Sequence, residues 1–167
     1  MTPRVVLRHP ALEDEREFIA LANASVELHR PWITAPSTPE SFRRYLETMA
    51  RPENCGFLVC AKGSGQIAGV INLTNIVLGL FRSSYLGYYA FAGFERQGLM
   101  REGLRAVVRY AFRDLGLHRL EANVQPGNGA SIALVKSLGF VKEGYSPRYL
   151  KIGGRWRDHE RWAMLAS

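Results

Sequence analysis

Glu95-Arg96-Gln97-Gly98-Leu99-Met100-Arg101 joins the strand-like run Tyr85-Leu86-Gly87-Tyr88-Tyr89-Ala90-Phe91 directly to an amphipathic helix, and the reading of that join decides the fold. A helix N-terminus presents backbone N–H groups without intrahelical partners and a partial positive charge, and a glycine lets an anion approach the chain closely. The join reads as an anion site that fits a pyrophosphate. Downstream, Leu104, Val107, Val108, Ala111, Phe112 and Leu115 fall on one helical face, while Arg101, Arg105, Arg109 and Arg113 recur at four-residue steps on the wet side. Gly116 supplies a C-terminal stop.

Leu120, Ala122 and Val124 alternate with Glu121, Asn123 and Gln125, which predicts a half-buried strand ended by the Pro126-Gly127 turn. Asn128 stands where an N-cap belongs, Ser131 follows in the first turn, and Ile132, Leu134, Val135 and Leu138 are apolar before the Gly139 stop. Upstream, a first strand is expected around Val5 to Arg8 and helices over Glu13 to Ala24 and Ser41 to Ala50, the second opened by Thr38-Pro39-Glu40. Strands are expected over Phe57 to Ala61 and Ile67 to Val77, joined at Lys62-Gly63-Ser64-Gly65. Leu28-His29-Arg30-Pro31-Trp32 has no helical period and reads as a loop, either a packed plug or a wall of a binding site.

At 167 residues and 47% hydrophobic, the chain is expected to be one globular domain, 1–167, with a full core. No linker, repeat or low-complexity tract divides it, and no apolar run is long enough to span a bilayer. Met1-Thr2-Pro3-Arg4 passes quickly to Val5-Val6-Leu7 without the pattern of a signal peptide. Cys55 and Cys60 have neither CxxC spacing nor clustered histidines beside them, so no metal and a reducing cytoplasm are expected. The net charge of +7 reads as a solvated basic surface that also suits a phosphorylated ligand; the arginines are dispersed and match no nucleic-acid motif.

The order strand, glycine loop, helix, strand, Asn-x-x-Ser helix, then Leu138-Gly139-Phe140 with Glu143-Gly144 resembles the GNAT superfamily of acyl-CoA-dependent N-acetyltransferases over nearly the whole chain. Gly87-Tyr88-Tyr89, Gln97-Gly98-Leu99-Met100, His118-Arg119, Lys142-Glu143-Gly144-Tyr145 and Trp156-Arg157-Asp158-His159 resemble the RimJ/RimL group of ribosomal-protein alanine N-acetyltransferases, the RimJ side in particular. The resemblance implies an α/β fold with a mixed, mainly antiparallel sheet splayed at its middle, acetyl-CoA as cosubstrate, and direct transfer to an amine. It implies cofactor contacts from the strand end Tyr89, Ala90 and Phe91, from the loop residues Arg96, Gln97, Gly98, Leu99, Met100, Arg101 and Glu102, and from Asn128, Ser131 and Lys136. Backbone N–H groups from Gln97 to Glu102 are expected to hold the diphosphate, with the Glu95 side chain turned away and Met100 offering only its backbone. His29, Trp32 and Tyr149 are implied on the acceptor side.

Attack on a thioester needs a neutral amine, a donor for the oxyanion and stabilisation of the departing sulfur. Ser131 matches a serine proposed for the last task in RimL-like members, although a serine in a first turn is also an ordinary helix residue; a hydroxyl there donates a hydrogen bond better than a full proton. The tyrosine many superfamily members carry at that step is replaced by Val135. No residue type marks the base: Asn123 stands where relatives can carry glutamate, Glu121 shares its strand face, Leu150 occupies the RimL-like position, and Asp158, His159 and Glu160 are further titratable groups. At pH near 7.8 a lysine amine of pKa ~10.4 costs roughly 3.5 kcal/mol to neutralise, whereas a chain-terminal amine of pKa ~7.8 costs less than about 1 kcal/mol. A weak base acting through an ordered water therefore points to an α-amine acceptor, the N-terminal alanine or serine of a protein. A small-molecule amine acetyltransferase, acting on an amino acid, polyamine or aminoglycoside, is the first alternative, and a non-catalytic acyl-CoA sensor is another; either assembly, monomer or homodimer, is compatible with the sequence.

Overall fold

In the computed structural model, which describes residues 2–167, seven strands form one sheet. The chain runs through β1 (Val5–Arg8), a 3-10 turn (Leu12–Asp14), α1 (Glu15–Ala24), α2 (Val26–His29), α3 (Pro39–Met49), β2 (Cys55–Ala61), β3 (Ile67–Val77) and β4 (Ser83–Ala90). It continues through α4 (Leu99–Arg113), β5 (Arg119–Val124), α5 (Gly129–Leu138), β6 (Val141–Ile152) and β7 (Arg155–Leu165). The strand order is β1-β2-β3-β4-β5-β7-β6, antiparallel throughout except between β4 and β5. That single parallel pair is bridged by α4, the crossover a parallel pair requires.

Two apolar layers cover the sheet. Leu99, Leu104, Val107 and Ala111 of α4 and Val135 of α5 pack on one face against Val59, Ile71, Leu86, Leu120, Ala122 and Trp162. Phe18 and Ala22 of α1 and Phe42 of α3 pack on the other against Leu58, Val70 and Phe91. The expected period of α4 is borne out, with Arg101, Arg105, Arg109 and Arg113 exposed. The sequence reading missed α2: His29 N–H donates to the Ser25 carbonyl (2.9 Å) and Arg30 N–H to that of Val26 (3.1 Å), closing one helical turn that Pro31 then stops.

The start of α1 is fixed by Asp14, 7% exposed, which accepts hydrogen bonds from the Arg8 guanidinium (2.5 and 2.8 Å) and the Ala11 N–H (2.9 Å). Burial alone would raise this carboxyl, but Arg8 and Ala11 outweigh it and hold it below the usual carboxylate range. The folded pKa lies below the unfolded one, so the stabilisation is complete above the unfolded value of ~3.9 and is lost as pH falls through the folded value. Asp14→Asn is expected to lower stability by about 2 kcal/mol at neutral pH and to flatten the acid limb of urea unfolding measured from pH 7 to pH 2. Wild-type stability in the variant would show that the pair contributes nothing.

Candidate active site

The β4–β5 pair holds only at Ser83–Arg119, Ser84–Leu120 and Tyr85–Glu121; beyond it Leu86 to Ala90 and Ala122 to Val124 run on unpaired. The sheet is splayed there, as expected. On its other edge β4 remains laddered to β3, with Tyr89 opposite Val70 and Ala90 opposite Gly69. Phe91 N–H donates to the Ala68 carbonyl (2.9 Å), and the alternation of an antiparallel ladder then assigns the Tyr89 N–H to β3 as well. Phe91 and Tyr89 are thus corrected as backbone donors to a ligand. Tyr88 and Ala90 turn their N–H and C=O groups into the opening instead, and the Ala90 carbonyl there bonds to His29 Nε2 at 2.8 Å.

The glycine loop is folded in advance by its own polar groups. Glu95 curls back to accept the Gly93 N–H (2.6 Å). Gln97 Nε2 donates to the Gly93 carbonyl (2.9 Å), and an Arg4 guanidinium N–H reaches the Gln97 carbonyl (2.9 Å). Arg96 (φ 61) and Gly98 (φ 76) are left-handed, and Gly98 is the N-cap of α4. Among the described residues, the N–H groups of Arg96, Gln97, Gly98, Leu99, Met100 and Arg101 meet no acceptor. Such a nest at a helix start fits a diphosphate.

Glu102 is corrected as a donor. Its N–H closes the first turn on the Gly98 carbonyl (3.1 Å), and its carboxylate faces away to accept the N–H groups of Arg4 (2.6 Å) and Val5 (3.4 Å). Met100 is 9% exposed and sinks its thioether beneath the loop, where a Cβ at Gly69 would stand 2.3 Å from the Met100 sulfur. Only its backbone faces the loop, as expected. Arg101 lies outside, its guanidinium 3.5 Å from the Ser137 carbonyl on α5.

Across the opening, Asn128 caps α5 by accepting the Ser131 N–H (3.2 Å), which points Ser131 toward β4. Ser131 Oγ lies 2.6 Å from the Tyr88 hydroxyl. Burial, partly offset by this hydrogen bond, pushes the Tyr88 phenol up to about 12, so it stays protonated at neutral pH. Tyr88 was not among the site residues expected from the sequence; Val135, at the position of the usual tyrosine, is fully buried. Lys136 places its ammonium 5.7 Å from the centre of the Trp162 ring, a cation–π contact.

Asn123 lies past the last β4–β5 bridge, half-buried beside the opening. Glu121 sits at that last bridge, and its carboxylate is committed to Arg119 Nε at 2.8 Å, with Arg119 also gripping Glu143. A carboxylate so paired, below the opening, is badly placed as a base. Both thiols are held above their ordinary pKa by burial, Cys60 inside the α1–α3 core, so neither is an activated nucleophile.

On the face opposite α4, the α2 segment and the β6–β7 hairpin border a cleft of about 500 Å³ whose lining includes His29, Arg30, Ile33, Ile152 and Arg157. Burial, outweighing its bond to Ala90, lowers the His29 pKa, so the ring is neutral. Trp32 is not inside this cleft: Gln125 Nε2 donates to the Pro31 (3.1 Å) and Trp32 (3.2 Å) carbonyls, and the Trp32 ring packs over Gly127, clamping the segment to the end of β5. Tyr149 lies 6.3 Å from the His159 ring, and His159 Nδ1 bonds to the Arg157 carbonyl (2.9 Å). Arg157 and Gln125 were not singled out from the sequence; the register Asn123–Arg161, which puts Arg157 and His159 on the cleft face, is the missing signal. No group of side chains suited to a metal ion occurs among the described residues, and no described helix is long and apolar enough to cross a membrane.

Residues 4–141 match the family described as Acetyltransferase (GNAT) domain. A probable N-acetyltransferase YjcK of Bacillus subtilis is 32% identical over 80% of this chain and 74% of its own length. The ribosomal protein uS5 alanine N-acetyltransferase of Escherichia coli is 47% identical over 99 residues, 59% of this chain, which spans only about half (51%) of that enzyme. Among solved structures, Mycobacterium smegmatis RimJ in complex with CoA-disulfide superposes with a TM-score of 0.89 at 25% identity, over 97% of this chain and 82% of that one. Spermidine N-acetyltransferase of Vibrio cholerae shares the fold at 21% identity, with a TM-score of 0.78 over 98% of this chain and 95% of that one. Splayed sheet, glycine nest and matched residues agree: the chain is an acyltransferase that belongs to the GNAT acetyltransferase family, in its RimJ/RimL-like group.

Proposed function

We propose that the chain is a single acetyltransferase domain that passes acetyl from acetyl-CoA directly to the α-amine of a protein N-terminus, ribosomal-protein alanine or serine foremost, in the cytoplasm. The acceptor-side cleft carries this reading: its lining holds Arg30, Arg157 and His29 and no carboxylate. A polyamine or aminoglycoside would bring several positive charges against two guanidiniums. A peptide N-terminus brings one amine and a row of carbonyls.

Bound acetyl-CoA supplies an activated thioester carbonyl. The free N–H groups from Arg96 to Arg101 hold its diphosphate, and those of Tyr88 and Ala90 face its pantetheine arm and thioester oxygen. The Ser131 hydroxyl, oriented by Tyr88, donates to the sulfur as the C–S bond breaks. Asn123 holds the water through which the incoming amine sheds its proton; Glu121, paired with Arg119, takes no part. Lys136 and Tyr149 keep supporting places, beside Trp162 and His159.

The α-amine of a free amino acid is the second reading, favoured by the same guanidiniums because they suit a carboxylate. Thiol release from acetyl-CoA measured with alanine- and serine-initiated peptides, free amino acids, an N-capped lysine peptide and spermidine separates these. Peptides are expected to turn over about a hundredfold faster than the capped lysine at pH near 7.8, the ratio set by the cost of neutralising each amine. Equal rates on capped lysine, or preference for spermidine, would overturn the α-amine assignment; CoA binding without turnover of any acceptor would favour the sensor.

A further inference from the structure

Arg157 Nε is buried and, among the described residues, has no hydrogen-bond partner. A guanidinium offers five donors in a fixed fork, and a buried donor left unpaired is costly enough that native structures rarely keep one without a use. The carboxylates within reach along the chain are already engaged. Asp158 accepts from Tyr145 and from the Arg148 N–H (2.8 Å), Glu160 pairs with Lys142 (3.3 Å) and Trp162 (3.1 Å), and Glu27 lies near Arg30 (3.9 Å).

The unpaired fork lines the cleft that His29 also lines, and His29 is tied to the Ala90 carbonyl at the open end of β4. The strand that carries Arg157 is held in place: Arg157 lies opposite Leu150 in the β6–β7 ladder, and its carbonyl is fixed by His159. His29 thus links the cleft to the open end of β4. Of the strand residues in the lining, Arg157 on β7 brings the charged donor, and Ile152 on β6 beside it is apolar.

We propose that Arg157 determines acceptor specificity by donating to the C=O borne by the carbon that carries the reactive amine. This deepens the α-amine reading above and rests on it. An N-terminal residue carries a peptide carbonyl at that place and a free amino acid a carboxylate, so both supply the acceptor atom the fork lacks. A lysine side chain and a polyamine carry only methylenes there. Arg157 therefore converts an electrostatic exclusion of polycations into positive selection of α-amines, by binding the carbonyl oxygen three bonds from the amine nitrogen.

Steady-state kinetics on the full chain test this with Arg157→Gln and the charge-retaining Arg157→Lys, using three acceptors: an alanine-initiated peptide, free alanine, and 2-aminopropane, a more basic primary amine with a methyl on the same carbon and no carbonyl, each variant being compared with wild type on the same acceptor. Calorimetric titration with CoA reports whether each variant keeps its fold and cofactor site. With CoA affinity unchanged, Arg157→Gln is expected to raise KM for the peptide and for alanine roughly tenfold to thirtyfold with little change in kcat, and to leave the slow turnover of 2-aminopropane unaltered. Arg157→Lys should recover part of the loss with alanine, whose carboxylate accepts a point charge, and less with the peptide. An unchanged peptide KM in both variants, or equal losses for 2-aminopropane and peptide, would overturn the role of Arg157 while leaving the α-amine reading intact. A wild-type protein that turned over 2-aminopropane as well as the peptide, or neither, would overturn both.

Discussion

Replacing Gly98 with valine is expected to weaken CoA binding by about a hundredfold or more while leaving the domain folded. Gly98 caps α4 with φ 76, a left-handed conformation that costs a side-chain-bearing residue roughly 1–2 kcal/mol and a β-branched one more. A Cβ there would also stand 3.0 Å from the Arg4 guanidinium, which ties the loop to β1. Arg4 can swing aside, but the backbone strain is relieved only by rotating the loop, and the N–H groups of Arg96 to Arg101 are then expected no longer to converge. Each hydrogen bond lost to a charged phosphate is worth about 1.5–3 kcal/mol, so misdirecting one or two gives the stated loss. Calorimetry with CoA measures it, and thermal unfolding of the same sample checks the fold. Unweakened binding in a folded variant would show that the diphosphate lies elsewhere.

Ser131→Ala is expected to lower kcat about a hundredfold with peptide KM and CoA affinity nearly unchanged, because the proposed mechanism uses the hydroxyl only as charge develops on the departing sulfur. Tyr88 acts through it. The phenol, held protonated by burial, lies 2.6 Å from Ser131 Oγ, which on the proposed mechanism makes Tyr88 a positioning residue for that hydroxyl. Tyr88→Phe should therefore cost about tenfold, and the double variant no more than Ser131→Ala alone, since both changes remove one unit. Full turnover by Ser131→Ala, or losses that multiply in the double variant, would place leaving-group stabilisation on another residue.

The elements that were legible in the sequence are those whose partners lie within a few residues. The α4 stripe from Leu104 to Ala111, the Asn128 cap and the Gly98 turn follow from local periodicity and backbone chemistry, and they built the frame of the cofactor site. What escaped depends on register and on distant contacts. Which of Tyr88, Tyr89, Ala90 and Phe91 keeps its N–H for a ligand is a matter of ladder parity, set by the pairing of Ala90 with Gly69. The role of Glu102 is not legible locally, because its partners are Arg4, just before β1, and Val5, the first residue of β1, nearly a hundred residues upstream. Glu121 is a candidate base on residue type alone, and its ion pair with Arg119 and its place at the last β4–β5 bridge are set by the folded structure. Tyr88 meets Ser131, and Arg157 meets the cleft, only once the sheet is assembled.

The proposed mechanism puts the diphosphate of CoA on the main chain between Arg96 and Arg101 and the pantetheine arm in the gap between β4 and β5. A crystal structure of the complex tests it most directly. Expected are phosphate oxygens within hydrogen-bond reach of the Arg96-to-Arg101 N–H groups and the sulfur beside Ser131; density for CoA outside the β4–β5 gap, or a diphosphate that leaves those N–H groups untouched, would contradict it.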